Sequence, residues 1–351
     1  MKESKSQFMN KSKNTINRRN FISKMGMGSA AALLPTTMLS FSPSDTFNGN
    51  SKDLKFGIVA DVHKDLIPDA DSRLQKFINE AQKRNVDFII QLGDFCMANP
   101  KNKGFLNIWE SFKGPKYHVL GNHDMDRNTK EEMLDFWGMP KTYYSYDFEG
   151  FHFVVLDANF LYKDGKYIDY KNANFYVDDS TKTFINDEQI AWFQSDLEKT
   201  KLPTIVFSHQ SLWHYQWGVK NRLSIQKIME SHKDKIICCM NGHNHIDYHH
   251  NINGIDYVEI NSMSYQWNEK YPSTERFEQK YYKDYPNLPN IASYVDPLYA
   301  FATINPKGKM QIEGVKSNWS KPSPYDLGMQ KAIEGSIASA QISDYKLRFN
   351  N

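Results

Sequence analysis

The sequence contains only three cysteines, and their spacing excludes both a disulfide framework and a cysteine-based zinc site. Cys96 stands alone, and Cys238 is directly followed by Cys239. The adjacent pair lies in an apolar run, 236–240, that is typical of a buried strand. We therefore predict that both are small core residues, with a vicinal disulfide as the alternative.

Long apolar runs and internal repeats are also missing. Beyond the N-terminal region no stretch of about 18 apolar residues occurs, which argues against a membrane span in the body of the chain. No pattern recurs at a period of about 20 to 50 residues, which disfavours a solenoid or a propeller. With 351 residues, 40% hydrophobic and 24% charged, the chain can bury a substantial core in one large or two small domains.

An excess of positive charge is confined to the N-terminus. The formal net charge is +2, but residues 1–42 hold seven Lys and Arg against one acid, Glu3. The rest of the chain has 36 basic and 40 acidic residues, a net charge of −4. No nucleic-acid partner is expected of such a mildly acidic body, so a nuclease is disfavoured unless a local basic groove exists.

This basic N-terminus resembles a twin-arginine export signal. Arg18 and Arg19 precede Phe21 and Lys24, and a weakly apolar stretch, 25–39, leads to small residues. A disordered basic tail or a short amphipathic helix is the alternative. The resemblance implies a signal peptide over 1–42 and a linker over 43–52. It also implies the twin-arginine export machinery as a partner, a periplasmic or otherwise exported location, and a mature protein without a transmembrane segment.

Strand-like apolar runs alternate with helical patterns through the rest of the chain. This alternation predicts a layered α/β fold in which helices cover a mixed sheet or a pair of sheets. Strands are predicted at 54–60, 86–92, 117–120, 204–208, 235–240, 299–304 and 310–315, helices at 72–84 and after Asn186, and hairpins at 143–156 and around Asn253-Gly254.

Side chains that can bind metals follow five of these strands. Loops beyond the carboxyl ends of strands in open α/β sheets converge on one crevice. Imidazole and carboxylate groups without thiolates suit Zn, Mn, Fe or Ni, and seven candidate ligands are too many for one four-coordinate ion. Two cations about 3.5–4 Å apart that share a carboxylate fit such a set. The loops after these strands carry Asp61, His63, Asp94, Asn122, His123, Asp124, His209, His243 and His245, nine residues of which seven are candidate ligands.

In this order and spacing, the motifs resemble the calcineurin-like metallophosphoesterase superfamily. Each motif alone is weak evidence, but five in order are specific: Asp61 with His63, Gly93-Asp94, Gly121-Asn122-His123-Asp124, His209, and Gly242-His243 with His245. The resemblance implies a catalytic domain over 53–315, followed by a C-terminal extension, 316–351. It further implies a four-layer α/β/β/α sandwich of two mixed β-sheets with flanking helices, and a metal site at the C-terminal ends of the strands.

The resemblance also implies a role for each residue. Asp61, His63 and His245 would bind one metal ion, Asn122, His209 and His243 the other, and Asp94 would bridge them. His123 would protonate the leaving oxygen or stabilise developing charge, and Asp124 would orient its ring. The nucleophile would be a metal-bridging hydroxide. Position 97 is Met rather than Tyr, which disfavours a tyrosinate ligand of the purple-acid-phosphatase type and the iron it favours.

Taken together, the motifs and the N-terminus predict an exported phosphoesterase that uses two divalent or trivalent metal ions, Mn, Zn, Fe or Ni. A small phosphorylated substrate is expected, and a phosphodiester or nucleotide-type substrate is favoured slightly over a simple monoester. The alternatives are a phosphomonoesterase and a non-catalytic metal-binding or substrate-binding protein, although a pure metal binder has no need of His123 and Asp124. No P-loop, Gly-x-Ser-x-Gly or His-Glu-x-x-His motif competes.

Aromatic residues close to the motifs have two interpretations. Trp213, Trp217, Tyr265 and Trp267 either pack the flanks of the core, which is favoured, or form a rim that stacks on the substrate. Two polar, Tyr-rich segments, 159–184 and 265–297, show little periodicity and are predicted to be long loops, at least one of which borders the crevice. The remaining histidines, His118, His152, His249 and His250, are predicted to be structural.

Overall fold

The computed structural model describes residues 52–214, 216–268, 272–329 and 338–349. These residues belong to a single unit, Asn50–Asn351. The signal peptide predicted over 1–42 and nearly all of the linker predicted over 43–52 lie outside the described residues. No helix among those described is both long enough and apolar enough to span a membrane.

The described residues form a chain of alternating strands and helices. In order, the strands are β1 (Leu54–Val59), β2 (Phe88–Gln91), β3 (Lys116–His118), β4 (Tyr144–Phe148), β5 (Phe151–Val155), β6 (Phe160–Lys163), β7 (Lys166–Asp169), β8 (Lys182–Phe184), β9 (Thr204–Phe207), β10 (Ile236–Asn241), β11 (Tyr248–Ile252), β12 (Ile255–Glu259), β13 (Tyr265–Trp267), β14 (Ile291–Ser293), β15 (Ala300–Asn305), β16 (Lys309–Gly314) and β17 (Tyr345–Arg348). The α-helices are α1 (Ala70–Lys83), α2 (Lys103–Glu110), α3 (Lys130–Trp137), α4 (Asp187–Lys199) and α5 (Arg222–Ser231).

Two six-stranded mixed sheets form the framework. The first has the order β17-β16-β15-β1-β2-β3, with β1, β2 and β3 parallel and β15 antiparallel to β1. The second has the order β11-β12-β10-β9-β5-β4, in which β5, β9, β10 and β12 are parallel. Because β17 pairs with β16, the segment predicted as a C-terminal extension supplies an edge strand to the first sheet.

The two sheets pack face to face, and helices cover their outer faces. Phe56 and Phe88 of the first sheet share a buried core with Phe153 and Phe207 of the second. The outer face of the first sheet packs against α1, α2 and α3, and that of the second against α4 and α5. The predicted four-layer α/β/β/α sandwich is therefore confirmed.

Local sequence explains where these elements begin and turn. On α1 the apolar residues Leu74, Phe77 and Ile78 lie on one buried face, as their helical spacing predicts. Asn186 caps α4, since its side chain accepts a hydrogen bond from the Gln189 amide. The predicted hairpins are confirmed as β4–β5 and β11–β12.

The two segments predicted to be long loops contain strands. Residues 159–184 hold the three-stranded sheet β7-β6-β8, and residues 265–297 hold the paired strands β13 and β14. These strands are only three or four residues long, and they do not alternate regularly between apolar and polar side chains. Short strands of this kind lack the periodicity from which a strand is predicted.

Candidate metal centre

One group of metal-ligand side chains lies beyond β1 and β10. Asp61 Oδ1 lies 3.4 Å from His245 Nε2 and 3.9 Å from His63 Nε2, and the two imidazole nitrogens are 3.1 Å apart. All three residues are buried. One carboxylate and two imidazoles converging on a point form a site of the kind that holds Zn²⁺ or Mn²⁺.

A second group lies beside the first, beyond β2, β9 and β10. Asp94 Oδ2 lies 3.2 Å from His209 Nε2, and His209 Nε2 lies 3.2 Å from His243 Nδ1. These three side chains again offer one carboxylate and two imidazole nitrogens to a single point. The structure thus collects six of the seven predicted ligands into two sites, grouped as the resemblance implied.

Asp94 connects the two groups. Its Oδ2 atom lies 3.7 Å from His63 Nε2 of the first group as well as 3.2 Å from His209 Nε2 of the second. Its other oxygen, Oδ1, accepts a hydrogen bond of 2.8 Å from the backbone amide of His123, which fixes the orientation of the carboxylate. This position fits the bridging role predicted for Asp94.

Hydrogen bonds on the far side of two rings set which nitrogen carries the proton. His245 Nδ1 donates to the carbonyl of Tyr265, and His209 Nδ1 donates to the carbonyl of Leu92, each at 2.7 Å. Metal binding requires the form of each ring in which Nε2 carries no proton, and in that form Nε2 presents a lone pair to the centre of its group. Lone pairs facing one another and two carboxylates at close range repel unless a cation lies between them, so the donor set fits two metal ions.

The seventh predicted ligand, Asn122, is buried at the start of a short 3₁₀ turn, His123–Met125. Its Oδ1 atom lies 3.4 Å from Gln210 Nε2, and Gln210 Nε2 also donates to Asn159 Oδ1 at 2.8 Å. Asn159 in turn donates to the carbonyl of Leu120 at 2.8 Å. Gln210 and Asn159 thus help to orient Asn122. No sequence motif marks Gln210 or Asn159 as site residues, although Gln210 directly follows the predicted ligand His209.

The backbone of the ligands is strained. Five of the seven have a positive φ, between 50° and 72°: Asp61, His63, Asp94, His243 and His245. A left-handed conformation costs a non-glycine residue roughly 1–2 kcal/mol, although Asp and His tolerate it better than most. It turns each side chain sharply away from the strand that precedes it, towards the shared centre. Strain of this kind is characteristic of functional sites.

Two glycines leave the space that these side chains occupy. A Cβ atom at Gly121 would collide with the backbone and the carboxylate of Asp94, and one at Gly242 would collide with the Asp61 carboxylate. Glycine at both positions is therefore needed for close packing of the ligands.

The predicted partner of His123 is wrong. The carboxylate that contacts the ring is Asp126, whose Oδ2 accepts a hydrogen bond of 3.0 Å from His123 Nδ1. The 3₁₀ turn explains this contact, because residues i and i+3 lie one above the other in such a turn. The His123-x-x-Asp126 spacing was present in the sequence, but Asp124 and Asp126 could not be distinguished without the turn geometry.

Asp124 has a different role, because both of its oxygens point back into the loops. It accepts hydrogen bonds from the backbone amides of Asp94, Phe95 and Gly121 at 2.7–3.0 Å. These bonds tie the end of β2 to the end of β3. Asp124 is therefore a positioning residue for the metal-ligand loops.

The environment of His123 favours a protonated ring. Burial lowers its pKa, but the Asp94 carboxylate and the hydrogen bond to Asp126 outweigh burial and raise the pKa to about 9. Cations bound to Asp94 would cancel the increase in the His123 pKa that Asp94 causes. The increase caused by Asp126 would remain. A protonated ring beside the metal centre is suited to donating a proton to a leaving oxygen.

A buried carboxylate behind the second group anchors the His243–His245 loop. Glu259 accepts a hydrogen bond of 2.9 Å from Trp213 Nε1, and both of its oxygens accept from Asn244 Nδ2 at 2.9 Å. Burial raises the pKa of Glu259 to about 7, although its hydrogen bonds oppose the shift. No motif in the sequence marks this residue.

The other candidates are mostly structural, as predicted. His118 is buried and accepts from Trp109 Nε1 at 3.1 Å, and burial lowers its pKa to about 3. Trp213 and Tyr265 are buried, which supports packing, whereas the Trp267 ring lies 6.0–6.1 Å from three site histidines. His152 forms hydrogen bonds with Asp147 and Asp196, and His249 forms one with Asp256. The ring of His250 contacts Trp213. The three cysteines, Cys96, Cys238 and Cys239, are buried thiols without a disulfide.

Two three-ligand groups that share a carboxylate, at the strand ends of a four-layer sandwich, define a dinuclear metal hydrolase. The sequence of residues 54–247 matches the model of the family described as calcineurin-like phosphoesterase. The chain belongs to this family, and it is a metal-dependent phosphoester hydrolase with two metal ions, as predicted.

Related proteins of known name include two plant enzymes, each called manganese-dependent ADP-ribose/CDP-alcohol diphosphatase. The rice (Oryza sativa subsp. japonica) protein is 31% identical over 132 residues, 29% of this chain and 40% of the rice protein. The Arabidopsis thaliana protein is 25% identical over 249 residues, 54% of this chain and 79% of its own length. The match to the rice protein thus spans less than half of that protein.

Among solved structures, a dimetal phosphatase from Danio rerio has the same fold. Its TM-score is 0.55 at 15% identity, and the match covers 76% of this chain and 98% of the zebrafish chain. At this identity the similarity shows the fold alone.

The Asp126→Asn variant should have a lower kcat and an unchanged metal content, because the new amide can still face His123 but carries no charge to hold the ring protonated. We expect a loss of roughly 10-fold or more, up to the roughly 10²- to 10⁴-fold that general acid catalysis contributes. Steady-state kinetics and elemental analysis measure both quantities.

The matched control for this change is Asp124→Asn, which replaces one acceptor of backbone hydrogen bonds in the loops. It should reduce metal content and thermal stability together with activity. Full activity in Asp126→Asn, with a selective loss of kcat in Asp124→Asn, would restore the role predicted for Asp124.

Glu259→Gln should flatten the dependence of stability on pH. Between the ordinary glutamate pKa and about 7, folded protein holds a proton on Glu259 that unfolded protein has released. Through this group the wild type should lose stability as the pH rises through the window, by at most roughly 3 kcal/mol, and the variant should lack this contribution.

Urea unfolding at pH 5, 6, 7 and 8 measures this difference, with the exposed Glu198→Gln as the control variant. If the free energy of unfolding changes with pH in the same way for the wild type and Glu259→Gln, Glu259 is ionised over the whole range from pH 5 to pH 8.

Proposed function

We propose that the protein hydrolyses a phosphodiester or the diphosphate bond of a nucleotide-type substrate. The observation that carries the proposal is the shared Asp94 carboxylate between the two ligand groups, with the His123 ring beside it. The chemistry that two cations would supply when bound is activation of water as the nucleophile and neutralisation of charge on the phosphate oxygens. The names of the plant relatives, which state diphosphatase activity on ADP-ribose and CDP-alcohols, support a substrate with a diphosphate.

The side chains of the protein then have separate tasks. Asp61, His63 and His245 would hold one ion, Asn122, His209 and His243 the other, and Asp94 would contact both. His123 would donate its Nε2 proton to the leaving oxygen, since its Nδ1 is occupied by Asp126. The carboxylate of Asp126 would keep the ring oriented during this transfer.

The test is a substrate panel with protein stripped of metal and reloaded separately with Mn, Zn, Ni or Fe. ADP-ribose and a CDP-alcohol should be cleaved with a higher kcat/KM than an aryl phosphate monoester. Preference for the monoester would support a phosphomonoesterase instead, and no turnover of any substrate with any metal would overturn the proposal.

Two variants assign the roles within this assay. His123→Ala should lower kcat by roughly 10²- to 10⁴-fold and leave the metal content near that of the wild type. Asp94→Ala should abolish both activity and stoichiometric metal binding, because it removes a ligand from both groups. Full turnover in His123→Ala would contradict the acid role.

We also propose that the protein is exported through the twin-arginine route. The support is the order of Arg18, Arg19, Phe21 and Lys24 before a mildly apolar stretch. This route carries folded proteins, which suits a protein that acquires its metal ions before export. In cell fractionation, replacing both arginines by lysine should retain the protein inside the cell, and unchanged export of this variant would overturn the proposal.

A further inference from the structure

Two aromatic side chains from distant segments flank the catalytic histidine. Trp267, at the end of β13, places its ring centroid 6.1 Å from His123, 6.1 Å from His63 and 6.0 Å from His245. Tyr176 approaches His123 from another segment, with 6.4 Å between the ring centroids. Both rings therefore lie beside His123, and Trp267 also lies beside the first ligand group.

The segment that carries Tyr176 is fastened to the turn that carries His123. The Ala173 amide donates to the carbonyl of Met125 at 3.1 Å, and the Asn172 amide donates to the carbonyl of Asn128 at 3.0 Å. Asn172 and Ala173 both have a positive φ, of 47° and 60°. A left-handed alanine is strained, which indicates that tertiary contacts hold this conformation.

Phe175, the residue before Tyr176, packs against the Tyr176 ring. Phe175 is buried, stacks on Tyr170 with 4.9 Å between ring centroids, and lies 4.8 Å from Tyr176. Tyr176 itself keeps 66% of its surface exposed. An aromatic ring that is exposed, held in place by a buried neighbour and adjacent to a metal centre is a ready surface for a planar ligand.

We propose that Trp267 and Tyr176 bind the base of a nucleotide substrate by stacking, a role that rests on the proposed function. An aromatic base presents a flat face to such rings, and stacking of one base contributes about 1–3 kcal/mol. The sugar and phosphate of a nucleotide separate the base from the reacting phosphorus, so a base stacked on these rings can leave the diphosphate beside His123. Trp267 and Tyr176 determine substrate preference, and the metal ligands perform the chemistry.

The experiment uses the full-length, Mn-loaded protein and two substrates with the same diphosphate bond. One is ADP-ribose, and the other is di(ribose-5) diphosphate, which has no base. Trp267→Leu and Tyr176→Leu should each lower kcat/KM for ADP-ribose by roughly 5- to 100-fold, mainly through KM. The base-free substrate should be hydrolysed as by the wild type, and Trp267→Phe should retain most of the activity on ADP-ribose.

Two control variants remove aromatic rings elsewhere. Tyr162→Leu alters a partly exposed ring that contacts Tyr167 and Phe184, and Trp192→Leu alters one that contacts Tyr143. Neither should change the ratio of the two substrates. An equal loss on both substrates in Trp267→Leu and Tyr176→Leu would overturn the stacking role and show that the rings only support the fold.

Binding measurements separate this inference from the proposed function. If the wild type cleaves neither diphosphate, the proposed function fails, and calorimetry with AMP and ribose 5-phosphate then tests the stacking surface alone. Tighter binding of AMP in the wild type, lost in Trp267→Leu, would support the surface. Equal affinity for the two ligands in the wild type would overturn it.

Discussion

The whole site depends on one carboxylate that must reach two groups of histidines at once. Asp94 Oδ2 lies 3.7 Å from His63 and 3.2 Å from His209, which follow strands of different sheets. Distances this short require the strand ends of both sheets to meet, so the face-to-face packing of the sandwich and the geometry of the centre are one constraint. A small rotation between the sheets would separate the groups.

Strain in the ligand loops is the energetic consequence of this convergence, and hydrogen bonds between the loops offset it. The amides of Asp61 and His63 donate to the carbonyls of Gly93 and Asp94 at 3.1 and 2.9 Å, and Ser262 Oγ donates to the Asp61 carbonyl at 2.8 Å. These bonds hold left-handed residues in place before any ion binds. Preorganisation of this kind reduces the reorganisation needed when charge develops.

Sequence alone was sufficient for features that repeat a strong local pattern. Apolar strands followed by Asp61, Asp94 and His209 predicted a layered α/β fold with one metal-binding crevice, because strand ends converge. The four-layer sandwich and the two ligand groups were implied by the family resemblance. Asp126 was missed because the choice between two nearby acids depends on a short 3₁₀ turn. Glu259 was missed because a single buried acid at the end of a strand has no motif, and only the fold brings it to Asn244.

The same distinction separates the chemistry of this protein from its choice of substrate. Ligands at strand ends are held in place by the sheets. Tyr176 and Trp267 come instead from 159–184 and 265–297, segments whose short strands carry little periodic signal. The position of Tyr176 is set by backbone bonds to the His123 turn and by packing on Phe175. If the stacking proposal holds, substrate preference resides in the part of the chain that sequence patterns describe least.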